Sequence, residues 1–132
     1  MTPADDPPPS VGDGKPVVLV VDDDDDVARV FVRALERHGM VVHRARSGTE
    51  AVAMIQSAPA LAAAIVDLIL PGIGGLEVVK ALRARHPGCR IVAVTGLGEP
   101  AMEQAFRSAG ADRFLTKPVD LQALLEAVRP AK

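Results

Sequence analysis

Tryptophan and tyrosine are absent from this sequence, and phenylalanine occurs three times. Stacking on a nucleobase or a flavin would therefore fall to Phe31, Phe106 or Phe114, each of which sits in an apolar-patterned segment suited to core packing. Cys89 is the only cysteine, which excludes an intramolecular disulfide and a cysteine-based zinc cluster. No apolar run approaches the roughly 18 residues that a membrane-spanning helix requires. The longest, Val17 to Val21 and Leu61 to Val66, are strand-sized. The amino terminus lacks a charged segment followed by an apolar run, so it does not read as a secretory signal. The expectation is a cytoplasmic protein with no membrane partner. An excess of positive charge is missing too: 15 Lys and Arg face 17 Asp and Glu, for a net charge of −2. That balance argues against a nucleic-acid partner.

What is present is a pattern. The 132 residues suffice for one core. Residues 1–14 hold Pro3, Pro7, Pro8, Pro9, Gly12 and Gly14 with no hydrophobic period, and read as a disordered Pro-rich tail. Residues 15–132 read as one domain. Within it, short apolar runs alternate with helical periods, as in repeated βα units around a parallel sheet. Strands are predicted at Val17 to Val21, Val41 to Ala45, Ala62 to Val66, Ile91 to Val94 and Arg113 to Leu115. The first and third are apolar on consecutive residues, as expected of central strands covered on both faces. Val27, Val30, Phe31, Ala34 and Leu35 form the inward stripe predicted for the first helix, which Gly39 stops. Ser47 and Glu50 make a candidate capping box for the second. Leu76, Val79 and Leu82 mark the third; Pro100 opens and Gly110 closes the fourth; Leu121, Leu124, Leu125 and Val128 mark the last. The fold class is α/β, a doubly wound sheet of five parallel strands.

Such a sheet gathers its site at the carboxyl ends of its strands. Asp22 and Asp23 follow the first strand, Asp67 the third, Thr95 the fourth and Lys117 the fifth. Taken singly, Thr95 is an ordinary turn residue and Lys117 an ordinary surface charge. Asp24, Asp25 and Asp26 precede Val27 and suit capping and the positive end of a helix. The convergence of the others on one edge is harder to explain as coincidence. Carboxylates that converge need a cation between them, and an all-oxygen set favours magnesium, calcium or manganese over zinc. Magnesium fits best, because it needs few carboxylates and completes its shell with water and phosphate oxygens. A carboxylate such as Asp67 can act as a nucleophile on phosphorus, while a hydroxyl and an ammonium spread the charge that develops.

The stretches VVLVVDDDDDVARVF, AAAIVDLILPGIGGLEVVKALR, IVAVTG and AGADRFLTKPVDLQALL, in that order and spacing, make the chain resemble the response-regulator receiver family from Lys15 to Arg129. The resemblance implies a flavodoxin-like (βα)5 fold with strand order 2-1-3-4-5. It implies that Asp67 is the phosphoacceptor, that Asp23 is a direct Mg2+ ligand and Asp22 an acidic partner acting through water, and that the backbone carbonyl of Ile69 completes the shell. Thr95 corresponds to the switch hydroxyl, Lys117 to the phosphate-binding lysine and Phe114 to the aromatic switch position. A cis peptide before Pro118 is also implied. The donor would be a phosphohistidine on a histidine kinase or histidine phosphotransfer protein, since His38, His43 and His86 lie in no kinase motif, and the output would pass to a downstream protein target. Docking in the family uses the first helix, where Ala28 and Val32 form a second apolar stripe.

Departures from the family pattern are informative. Gly74 replaces a frequent aspartate, Phe114 lacks a tyrosine's hydroxyl, and Ile69 and Leu97 are apolar at the two variable positions flanking the phosphoryl group. Three rivals are weaker. A haloacid-dehalogenase-type phosphatase would take Asp22 as nucleophile and Asp24 as acid, but needs a further acidic motif beyond the lysine. A flavodoxin-like cofactor carrier shares the topology, yet acidic residues stand where a hydroxyl-rich phosphate loop belongs. A receiver acting by contact alone would not need the complete residue set. The sequence does not decide between a stand-alone receiver and a piece of a larger protein.

Overall fold

A computed structural model describes residues 14–96 and 100–129. The predicted tail lies outside them except for Gly14, and so does Leu97. In chain order the elements are β1 (Val17–Val21), α1 (Asp25–Arg37), β2 (Val41–Ala45), α2 (Gly48–Ser57), β3 (Ala63–Asp67), α3 (Gly75–Arg85), β4 (Arg90–Thr95), α4 (Pro100–Ala109), β5 (Arg113–Thr116) and α5 (Leu121–Val128). All strand pairs are parallel, in the order β2-β1-β3-β4-β5, which is the 2-1-3-4-5 order expected.

Alternation along the central strands explains the two layers of helices. Val17, Leu19 and Val21 of β1 point into a core shared with α2, α3 and Phe106 of α4. Val18 and Val20 point the other way, into a core shared with α1 and α5. Every residue of β1 and β3 is buried, so their apolar runs are continuous rather than alternating. β3 runs one residue later than expected and ends on Asp67 itself, because Asp67 still pairs with Val94 of β4. β4 is longer than expected and includes Thr95, which pairs with Thr116.

The helix ends follow local chemistry. Asp24 caps α1, accepting from the N–H of Asp26 at 2.9 Å and of Val27 at 3.2 Å. At α2, Ser47 accepts from Glu50 N at 3.1 Å, but the Glu50 carboxylate reaches back to Arg46 N rather than to Ser47 N. The capping box is therefore formed one residue wider on its return side. Arg83 of α3 donates to the carbonyls of Pro87, Cys89 and Gly110 and to Asp112, lashing α3 to the start of β4 and the α4–β5 turn. No helix among the described residues is long and apolar enough to cross a membrane.

One expectation for α1 is corrected. The face turned inward is Ala28, Phe31 and Leu35, whereas Val30, expected in the core, is 48% exposed. Ala28 is 1% exposed, so it cannot belong to a docking surface. Its small side chain lets α1 lie close to the sheet. Val32 is half-buried.

Candidate functional site

The strands deliver their terminal polar residues to one edge. Asp22 follows β1 and is 1% exposed; Asp67 closes β3 and is 6% exposed; Thr95 closes β4 and is buried. Asp23 sits beside them in the exposed part of the loop. Carboxylate oxygens of Asp22, Asp23 and Asp67 all lie within 4.8 Å of one another. Lys117, just past β5, places its Nζ 3.2 Å from Asp67 Oδ2 and 3.4 Å from Asp22 Oδ2. The Lys117 backbone N–H donates to the Thr95 carbonyl at 2.7 Å, which fixes the lysine's origin against the end of β4. The peptide bond from Lys117 to Pro118 is cis, as the resemblance implied. Phe114 is half-buried and packs against the core on the α2–α3–α4 side.

The other Asp67 oxygen is also fixed. Ile69 N donates to Asp67 Oδ1 at 3.2 Å, while the Ile69 residue is 58% exposed. Asp22 Oδ1 accepts from Asp24 N at 2.9 Å. Sequence reasoning placed each of Asp22, Asp23, Asp67, Thr95, Lys117 and Ile69 at this edge, and the fold brings them together there. It missed Arg44 of β2, whose guanidinium reaches into the β1–α1 loop; a lone arginine in an edge strand carries no sequence signal for a partner 22 residues away. Asp24 is engaged as the α1 cap, so the rival reading of it as a catalytic acid has no support in its geometry.

The electrostatics fit a divalent cation. Burial pushes the Asp22 carboxyl above the ordinary range, the neighbouring Asp67 charge pushes the same way, and the Asp24 N–H and Lys117 oppose it without prevailing. Burial alone would push the Lys117 ammonium down, but the Asp22 and Asp67 carboxylates outweigh it and the net direction is up. One ammonium among three carboxylates leaves an excess of negative charge on an all-oxygen donor set, the combination that suits a hard cation.

A prediction follows for the protein without metal. The folded pKa of Asp22 is raised above its usual 3.8, so ionised Asp22 opposes folding at neutral pH, and that penalty begins to fall as the pH drops through the folded pKa and is gone below 3.8. Asp22→Asn should therefore stabilise the metal-free fold at pH 7 and raise its melting temperature. The gain should shrink as the pH falls and vanish below the ordinary carboxylate value of 3.8, where Asp22 is protonated in the folded and unfolded chain alike. Thermal melts in chelator in both pH ranges provide the check, and a variant less stable than wild type at pH 7 would contradict the assignment.

Residues 18–129 match the model of the response regulator receiver domain. Among curated proteins, the photosynthetic apparatus regulatory protein RegA of Cereibacter sphaeroides is 42% identical over 96 residues, covering 73% of this chain and 52% of that protein. RegA of Rhodobacter capsulatus is 39% identical over 119 residues, covering 89% and 63% respectively. The chain thus spans less than two thirds of the length of these relatives. Among solved structures, a CheY-like receiver domain protein from Methanospirillum hungatei superposes with a TM-score of 0.82 at 30% identity, covering 87% of this chain and 91% of that one. A response regulator from Burkholderia pseudomallei, solved with a phosphorylated aspartic acid, calcium ion and citrate, superposes with a TM-score of 0.81 at 30% identity, covering 87% and 67%.

Proposed function

The chain belongs to the response regulator receiver domain family, and from that membership we propose that Asp67 accepts a phosphoryl group in a phosphorelay. The donor is a phosphohistidine on a histidine kinase or a histidine phosphotransfer protein. The observation that carries the reading is the placement of Asp67, a buried carboxylate at a strand end with Lys117 3.2 Å away and two further acids beside it. An Asp67 carboxylate oxygen forms the new P–O bond as the donor's P–N bond breaks, and the departing imidazole takes up a proton. Asp22, Asp23, Asp67 and the Ile69 carbonyl would hold the cation, which we assign as Mg2+. When bound, Mg2+ supplies positive charge to the phosphoryl oxygens.

The remaining steps belong to the chain's own residues. Lys117 moves its ion pair from the carboxylates to a phosphoryl oxygen, and the Thr95 hydroxyl donates to another. Phosphorylation then shifts the population between two surfaces around Thr95, Phe114, β4, α4, β5 and α5, which a downstream protein reads. With no tyrosine hydroxyl at position 114, packing alone governs any movement of that ring. Val32 remains the docking residue on α1, while exposed Val30, two positions away, lies on the opposite flank of the helix and borders a separate apolar surface. Val30 and Val27 border a groove that runs to Lys117, Pro118 and Val119, so a donor seated there would lie next to the phosphoacceptor. The setting we assign is the cytoplasm.

The test is incubation with a small phosphodonor and Mg2+, followed by intact mass and peptide mapping. A single phosphoryl group on Asp67 is the expected result; label on Asp22 would instead support the phosphatase rival.

Ile69 shapes the lifetime of that phosphate. Its side chain is apolar and exposed beside Asp67, and it cannot hydrogen-bond an attacking water. Slow self-catalysed hydrolysis follows, because a poorly oriented water forfeits much of the advantage of proximity. Ile69→Asn combined with Leu97→Glu should shorten the phosphate lifetime roughly tenfold with Mg2+ present, within the range that general acid-base and orienting groups supply. An unchanged lifetime would rule the explanation out.

A further inference from the structure

We infer that Arg44 is a positioning residue for the cation site, an assignment that rests on the receiver reading of Asp22, Asp23 and Asp67. Arg44 is the fourth residue of β2 and pairs in register with Val20 of β1. Its guanidinium turns from the edge strand toward the β1–α1 loop. Nη2 and Nε donate to the Asp22 carbonyl at 2.8 and 3.3 Å, and Nη1 donates to Asp25 Oδ1 at 2.7 Å. On its other side the same residue is held by the backbone, Asp22 N donating to the Ala45 carbonyl at 3.1 Å.

The consequence is geometric. The end of β2 grips both polar groups of the Asp22 backbone, and the gripped carbonyl belongs to the peptide plane that leads into Asp23. That plane sets the direction from which the Asp23 side chain departs. Through Asp25, in the first turn of α1, the same guanidinium also ties the helix to the strand. Arg46 adds a weaker contact to Asp25 at 3.4 Å. A planar fork can serve a carbonyl and a carboxylate at once, which a lysine ammonium on a flexible stem does poorly. Arg44 touches the Asp22 backbone and not its carboxylate, so it orders the loop without occupying the oxygens that Lys117 pairs with.

Two physical pictures of Arg44 predict opposite signs. If it acted only as a positive charge near the site, its removal would tighten Mg2+ binding. As a positioning residue, its removal lets the loop relax and weakens binding, by about tenfold, the lower end of what losing an outer support costs a metal site. Isothermal titration of the unphosphorylated protein with MgCl2 at 25 °C decides, with thermal melts confirming that each variant is folded. Arg44→Gln should raise the Mg2+ dissociation constant about tenfold, and Arg44→Lys should raise it by a smaller factor. Binding by Arg44→Gln that equals or exceeds wild type overturns the inference, as does full retention of affinity in Arg44→Lys. Asp23→Asn supplies the control. Wild-type protein that binds no Mg2+ overturns the receiver reading of the site itself, whereas wild type and Arg44→Gln binding equally, with Asp23→Asn binding none, overturns only the role of Arg44.

Discussion

Asp67→Asn should abolish phosphoryl incorporation while leaving the fold intact. The side chain lies at the end of β3, 6% exposed, with each oxygen already engaged: Oδ1 accepts from Ile69 N at 3.2 Å and Oδ2 lies 3.2 Å from Lys117 Nζ. Asparagine matches the shape and can keep its carbonyl oxygen on Ile69 N. Its amide nitrogen then faces the Lys117 ammonium, donor against donor, and no anionic oxygen remains to attack phosphorus. Incorporation from a small phosphodonor should fall at least about a thousandfold, to background, since the group lost is the proposed nucleophile rather than one of its helpers. Stability should move in the other direction or hardly at all, because one of three mutually repelling carboxylates is removed. Rapid labelling of Asp67→Asn at the wild-type rate would show that another residue accepts the phosphoryl group. Asp23, exposed and within the same cluster, would be the first candidate.

The reasons why some of this was legible in the sequence are physical. β1 and β3 are covered on both faces, so every residue is apolar until the chain leaves the sheet, and the first polar residue then marks the carboxyl edge. Asp22, Asp67 and, after the buried run of β4, Thr95 stand at such exits, whereas Lys117 follows the half-exposed edge strand β5 and was placed by its position after the fifth strand. The face of α1 was harder. Ala28 and Val30 are both apolar and differ by two positions, and hydrophobicity alone cannot tell which turns inward. Ala28 shares a face with Phe31 and Leu35, three and seven positions on, and it is the packing of those two large side chains against the sheet that turns this face inward. Arg44 was not legible at all, since its contact with Asp22 depends on β2 pairing with β1 in the register that opposes Arg44 to Val20. The return bond of Glu50 to Arg46 rather than Ser47 likewise depends on how the chain leaves β2.

Gly48→Ala should cost the fold about 3 kcal/mol, near the upper end of what an overpacked site usually loses, and lower the melting temperature by roughly 10 °C. The glycine's backbone is ordinary, so the argument is one of space. A Cβ there would collide with the Ile73 carbonyl oxygen and stand 2.6 Å from its carbonyl carbon and 2.9 Å from its Cβ. Neither partner can withdraw cheaply. Gly48 opens α2 directly after the Ser47 cap, and Ile73 lies in the β3–α3 loop. The far end of that loop is pinned in the same way: a Cβ on Gly75 would come within 2.7 Å of the Asp67 carbonyl oxygen and 2.8 Å of Leu68 Cα. The loop after Asp67 is thus held at two glycines, Gly48 of α2 packed against Ile73 and Gly75 packed against Asp67 and Leu68. Relief of the Gly48 clash by moving the loop would displace the Ile69 backbone that steadies Asp67 Oδ1, so the folded fraction of Gly48→Ala should also phosphorylate more slowly than wild type. Thermal or chemical denaturation measures the first effect, and phosphodonor kinetics well below the melting temperature measure the second. A variant that melts within about 2 °C of wild type would mean that α2 can shift away from Ile73 at little cost.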